Sequence, residues 1–265
     1  MNTYICRYCR QPSDPGSPTC PLCGAPVDIR SVVSDSGWVE QPPIRDMARL
    51  QLGQSHCQVA GTTVPAAEFT LAPEDWIYFS HHVLLWTEPQ TRLTNMPMKG
   101  AWNRKMAGLP LIMVEARGPG HLALSDNHAG EIVALPMQHG QQIWVREHAF
   151  LLASHTIQYS FIRIKGLVNL LHGGNGMYMD RFVTAGYPGM LILHGNGDVL
   201  ERVLRPGEKI LVEPGGFLYK DSTVQMAAVQ MPLKTGLLRH GMYLAEMTGP
   251  GRVGIQSMYV HHHAD

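Results

Sequence analysis

The chain has 265 residues, with 21 Lys and Arg against 21 Asp and Glu, so its formal net charge is zero. That balance argues against a protein held to nucleic acid or to an anionic membrane by a basic patch. Charged residues are only 16%, Gly number 27 and Pro 19, and hydrophobic residues reach 45%; this excludes a disordered chain and favours short strands with tight turns.

Residues 1–30 form a cysteine-rich unit. Residues 1–20 hold three cysteines and no apolar run, so no secretory leader is expected and a reducing, cytoplasmic setting is. No apolar run reaches the roughly 18 residues of a membrane-spanning helix. Cys6-Arg7-Tyr8-Cys9 and Cys20-Pro21-Leu22-Cys23 are two CxxC pairs separated by ten residues. Such a spacing lets four thiolates converge on one Zn²⁺ at about 2.3 Å. Gly24 follows directly and permits the tight turn that brings backbone amides toward the sulfurs. The predicted metal ligands are Cys6, Cys9, Cys20 and Cys23, holding one structural Zn²⁺ per chain. Four thiolates close the coordination shell and leave no position for catalysis. Rubredoxin-like iron, free thiols and two disulfides are the alternatives. A unit this small buries too little apolar surface to fold alone, so metal binding would supply its folding energy. Arg7, Arg10 and Arg30 stand against Asp14 and Asp28, a balance that suits a protein-contact module better than a DNA-binding one.

Residues 31–54, with Ser-rich and Pro-Pro elements, read as a linker. Alternation of apolar and polar residues begins near Cys57 and defines a body over 55–260. Phe69 and Leu71, then 76–79, read as two strands around a Pro73-Glu74-Asp75 turn. Residues 143–145 and 150–153 flank a polar turn at 146–148. Lys209–Val212 and 217–220 flank Glu213-Pro214-Gly215-Gly216, where glycine supplies positive φ cheaply. Short helices are predicted at 100–107, 166–171 and 235–239. The remainder reads as antiparallel β, a sandwich or barrel.

The body repeats itself. Gly176-Met177-Tyr178 recurs as Gly241-Met242-Tyr243, 65 residues later. Gly118-Pro119-Gly120 matches Gly249-Pro250-Gly251, with Tyr187-Pro188-Gly189 as the middle copy. Gly130-Glu131-Ile132-Val133 up to Gly140 corresponds to Gly197-Asp198-Val199-Leu200 up to Gly207, an interval of ten residues in both. Three degenerate units are the economical reading, and their period exceeds that of common solenoids.

No catalytic constellation emerges, and the chain is expected not to be an enzyme. Fourteen histidines include His81-His82 and a tail at 261–263. Neighbours on a strand point to opposite faces, so His81 and His82 are not expected to share an ion; the histidines read as solvated or hydrogen-bonded. Residues 209–220 hold no histidine, which removes a cupin-type metal site. Cys57 reads as a buried thiol despite His56 beside it. His172-Gly173-Gly174-Asn175-Gly176 lacks the Lys-Ser/Thr of a phosphate loop and reads as a turn. Glu74-Asp75 reads as a solvated turn.

Three segments carry a family resemblance. They are the run from Leu204 through Gly207-Glu208 to Pro214-Gly215, the run from Leu170 through His172-Gly173-Gly174 to Tyr178, and Thr248-Gly249-Pro250-Gly251-Arg252 through Ser257. In these, 55–258 resembles the mitochondrial-biogenesis family named for altered inheritance of mitochondria, its twenty-fourth member. The first unit departs most, with Pro73-Glu74-Asp75 in place of Pro-Gly-Glu. The resemblance implies an all-β fold: a β-sandwich of three pseudo-repeats, similar to the tryptophan-RNA-attenuator-protein fold. It implies no catalytic residue. The N-terminal zinc ribbon is an addition to that core. The expected function is a non-enzymatic interaction or assembly scaffold, with a protein partner or self-association. A nucleic-acid binder using the ribbon and the β body is the alternative.

Overall fold

The computed structural model describes residues 3–5, 12–13, 17, 19–25, 32–33, 36–40, 49–96, 112–164, 177–235 and 238–258. Cys6, Cys9, the helices expected at 100–107 and 166–171, and the tail at 261–263 lie outside these residues.

The described residues are almost wholly β, as the composition predicts. Near the N-terminus, β1 (Thr3–Ile5), β2 (Pro12–Ser13) and β3 (Val32–Val33) pair in a small sheet of order β2-β1-β3. Two strands follow in the segment read as a linker, β4 (Val39–Glu40) and β5 (Arg49–Leu52). Then comes β6 (Ser55–Ala60). A first set of six strands comprises β7 (Ala66–Leu71), β8 (Trp76–Ser80), β9 (Leu84–Thr87), β10 (Arg92–Asn95), β11 (Met113–Arg117) and β12 (Gly120–Leu124). A second comprises β13 (Gly130–Met137), β14 (Gln142–Arg146), β15 (Phe150–Ser154), β16 (Ile157–Ile164), β17 (Met177–Thr184) and β18 (Gly189–Asn196). A third comprises β19 (Val199–Leu204), β20 (Lys209–Val212), β21 (Phe217–Asp221), β22 (Gln225–Thr235), β23 (Leu238–Thr248) and β24 (Gly251–Gln256).

The helix expected at 235–239 is not formed. β22 runs through Thr235 and pairs with β23 from Leu238 onward, Thr235 opposite Leu238. The ladder extends over eleven residue pairs, and a turn or two of isolated helix cannot compete with it.

Within every set the pairing is the same. The first strand pairs with the last: β7–β12, β13–β18, β19–β24. The third also pairs with the last: β9–β12, β15–β18, β21–β24. The second pairs with the fifth: β8–β11, β14–β17, β20–β23. The fourth pairs with the fifth: β10–β11, β16–β17, β22–β23. The third strand slips register at the same place each time, leaving Leu85, Leu151 and Leu218 as bulged residues.

Second and third strands follow each other in sequence but part company in space. The turn between them is a corner rather than a hairpin, a single 3-10 turn at His81–Val83 and again at Pro214–Gly216. At the second corner Glu213 accepts the Gly216 amide at 3.0 Å. The second strand of one set then pairs with the third strand of the next, β8 with β15 and β14 with β21. Four sheets result: β5-β6-β7-β12-β9, β10-β11-β8-β15-β18-β13, β16-β17-β14-β21-β24-β19-β4, and β20-β23-β22.

The cores lie between successive sheets. On β8, Ile77 and Phe79 face the cluster shared with the first sheet, whereas Tyr78 faces the cluster shared with the third. That alternation is the period-2 geometry of a strand buried on both faces. A third cluster joins Met179, Leu204, Phe217 and Val253 of the third sheet to Val212, Ala245 and Met247 of the fourth. Cys57 is buried in the first core, as expected, and burial pushes its thiol pKa up to about 12. It is inert at neutral pH.

Candidate functional site

Three places carry functional promise: the cysteine turn, a histidine-lined cleft at the corners, and the junctions between strand sets.

Cys20 and Cys23 bracket a tight turn. The Gly24 amide donates to Cys20 O at 2.8 Å, and the Cys20 amide donates to Ala25 O at 2.7 Å. Gly24 has φ +70°, a left-handed value that a side chain would strain. Cys20 is buried and Cys23 exposed. A closed turn with a left-handed glycine directly after the second cysteine is the backbone shape a CxxC knuckle needs. Among the described residues no three His, Cys, Asp or Glu side chains converge as metal ligands.

The cleft has a volume of about 420 Å³ and is lined in part by His82, Asp126, His128, Arg146, His148 and His194. His82 and His148 sit on the corners of the first and second strand sets, each three residues before the bulged leucine, and their ring centroids are 6.4 Å apart. His194, fully buried, places Nδ1 3.0 Å from Asp126 Oδ2. The Arg146 guanidinium donates to Pro214 O at 2.9 Å and also to Gly215 O, which ties the second corner to the third. Burial pushes the Arg146 pKa down, against Glu213 and Glu147. Burial also lowers the His82 pKa; the Asp126 carboxylate opposes this, while His81 and His128 add to it. His148 and Asn127 both have positive φ, 69° and 60°, in a region where non-glycine residues are uncommon. Of the two readings of the histidines, solvated or hydrogen-bonded, the first does not hold for His194, which pairs with Asp126 instead. It is enclosed and faces a carboxylate, because remote loops fold onto one rim. The matching positions of His82 and His148 relative to Leu85 and Leu151 were the one sequence signal for this cleft.

The junctions are continuous ladders. At the first, Leu152 lies opposite Phe79, Ala153 opposite Tyr78 and Ser154 opposite Ile77. At the second, Tyr219 lies opposite Val145, Lys220 opposite Trp144 and Asp221 opposite Ile143. Tyr219 and Glu201 hydrogen-bond beneath this ladder, and Arg252 grips Asp221 through Nε at 3.1 Å and Nη2 at 2.9 Å. Lys220 is fully buried. Its Nζ lies 3.8 Å from the Trp144 ring centroid and donates to Val224 O at 2.6 Å.

Burial pushes the Lys220 pKa down to about 8, partly opposed by Asp221. The unfolded chain then keeps a proton that the folded protein has released, between pH 8 and the ordinary 10.5. Stability gains from this group as pH rises through that window. Above pH 10, Tyr78 and Tyr219, whose phenols burial holds well above their ordinary value, work in the opposite direction. Urea unfolding between pH 7 and 10 should show a rising contribution that vanishes in Lys220→Met. An equal slope in both proteins would remove Lys220 as its source.

The two outermost strands lack this partnership. Among the described residues no strand pairs with the free edge of β9 or of β20. Leu151 and Leu218 are 1% and 0% exposed, yet their counterpart Leu85 is 60% exposed and Trp86 beside it 42%. On β20, Leu211 is 46% exposed, whereas Tyr78, at the corresponding place of β8, is buried.

No described helix is long and apolar enough to cross a membrane. A comparison with curated proteins gives no match. Among solved structures, the chain is similar to the X-ray crystal structure of protein SPYM3_0169 from Streptococcus pyogenes. The TM-score is 0.58 at 18% identity, covering 78% of this chain and 94% of that one; the likeness is one of fold. Residues 57–258 match the family described as Mitochondrial biogenesis AIM24. That match runs from the third residue of β6 to just past β24, and the chain belongs to this family.

Proposed function

We propose that the chain is a non-enzymatic assembly scaffold: three pseudo-repeats of one β unit, in a sandwich similar to the tryptophan-RNA-attenuator-protein fold, with a zinc-ribbon-like module at the N-terminus. The observation that carries this reading is the unsealed apolar surface at the two outermost strands, where Leu85, Trp86 and Leu211 face solvent. Natural sheets normally blunt free edges with charge, proline or a cover. β9 has neither charge nor proline along Leu84–Thr87, and such surfaces mark interaction sites. The family's description, mitochondrial biogenesis, is in keeping with an assembly role. The nucleic-acid reading draws no support from the family match, and zero net charge stands against it.

Light scattering after size exclusion, joined to affinity capture from the source cells, tests the scaffold. Self-association or a partner retained in stoichiometric amount supports it; a strictly monomeric, partnerless protein refutes it.

Cys6, Cys9, Cys20 and Cys23 would hold one structural Zn²⁺, which would fold the first 30 residues around itself. The turn at Cys20–Gly24 supports this assignment. Metal analysis of the full chain should give one zinc per chain, lost in the Cys6→Ser, Cys20→Ser double variant. Intact thiols without metal would overturn it.

A further inference from the structure

We infer that the partner of the two open edges is a second copy of this chain, docked head to tail, with β20 of one copy pairing with β9 of the next. This rests on the reading of the chain as a scaffold and gives its interaction surface an occupant.

The argument is one of unused halves. A junction needs a second strand from one set and a third strand from the following set. The chain uses that pairing twice, β8 with β15 and β14 with β21. What remains is one third strand, β9, and one second strand, β20. They are the two complementary parts of a third junction. The residues that a junction buries are exposed on both of them: Leu85 and Trp86 on β9, and Leu211 on β20. Their burial at Leu151, Leu218 and Tyr78 shows what a seated neighbour does to these positions.

The existing junctions also fix the register. Leu152 and Tyr219, which match Trp86, lie opposite Phe79 and Val145, which match Val212. Trp86 therefore faces Val212 of the next copy, and Thr87 faces Leu211. Such a contact is heterologous: each copy offers two different edges. It propagates until a ring closes or a filament grows.

Disulfide trapping of the full chain reads this register. Directly opposed side chains have Cβ atoms about 4.5–5.5 Å apart, near enough for a disulfide after a small backbone adjustment. Thr87→Cys and Leu211→Cys are made as separate proteins. Mild oxidation of their mixture should give a linked dimer, with the bond mapped between 87 and 211. Neither protein alone should give one at these positions. Thr87→Cys linking to itself would mean a symmetric contact and would overturn the proposal. So would an 87–211 bond within a single chain of the double variant, because the third junction would then be closed internally.

A second pair of variants avoids dependence on the bond. Leu85→Lys and Leu211→Lys each spoil one edge at an exposed position. Each alone should be monomeric by light scattering, while the mixture should stop at a dimer, since only one competent edge remains on each. A mixture that stays monomeric overturns head-to-tail docking. If wild-type protein is monomeric but binds another protein that Leu85→Lys releases, the second copy is refuted and the scaffold reading stands. If neither self-association nor a partner is found, both fall.

Discussion

Phe182→Ala is expected to cost about 3–5 kcal/mol of folding stability. Phe182 is fully buried on β17, in the core between the second and third sheets. Its ring centroid lies 4.7 Å from that of Phe150 and 5.5 Å from that of Tyr159, tilted at 32° and 54°. Tilted rings at these distances add to the gain from burial alone. Tyr159 is itself fixed, its hydroxyl donating to Asp180 at 2.7 Å. The neighbours are thus held from both sides and cannot collapse into the space left by the ring. The loss combines transfer free energy with a standing cavity. Urea titration should lower the midpoint with an unchanged slope. A loss below about 1 kcal/mol would mean that this core relaxes freely, contrary to the packing described.

Gly249→Ala ranks next, at about 3 kcal/mol, the upper end for overpacking. Gly249 and Gly118 hold matching places before the last strand of their sets. The Gly249 amide donates to Glu208 O at 2.9 Å, and the Gly118 amide donates to Asp75 O at 3.2 Å. A Cβ on Gly249 would overlap the Arg205 carbonyl and approach Leu204 Cβ to 2.7 Å; on Gly118 it would overlap the Ala72 carbonyl. Backbone oxygens cannot step aside as a flexible side chain can. Gly207 and Gly140 give the internal comparison. They have φ of +76° and +75° with open space where a Cβ would go, so alanine there costs about 1–2 kcal/mol from the left-handed conformation alone. Thermal or urea unfolding of the four alanine variants should separate the two classes. Equal losses would show that small backbone shifts relieve the close approach at 118 and 249.

Much of the β architecture was legible in the chain. The strands around 143–145, 150–153 and 217–220 and at Lys209–Val212 were readable because alternation and turn residues are local signals. The matching Gly-Pro-Gly segments end up in matching turns, and both Gly118-Pro119 and Gly249-Pro250 are cis. Partner choice was not legible. Nothing near Glu213 says that β20 and β21 part for different sheets, because that depends on strands dozens of residues away. The helix expected at 235–239 failed for a different reason: Thr235 and Leu238 are ladder partners in one local hairpin, and a short apolar run does not by itself tell helix from strand. The cleft was hidden because Asp126, His148 and His194 come from three separate segments. The turn at Cys20–Gly24 was legible because a glycine directly after the cysteine pair is a local signal.

The sheets that bridge neighbouring strand sets also bear on how the chain is made. During synthesis β8 emerges long before β15, and β14 long before β21. The first set cannot finish its second sheet until the second set has left the ribosome, and the second set waits on the third in turn. Each nascent stage therefore carries one raw strand margin of the type that β20 presents among the described residues. The growing chain repeatedly displays the complement of β9, and copies translated side by side from one message would meet while those margins are still exposed.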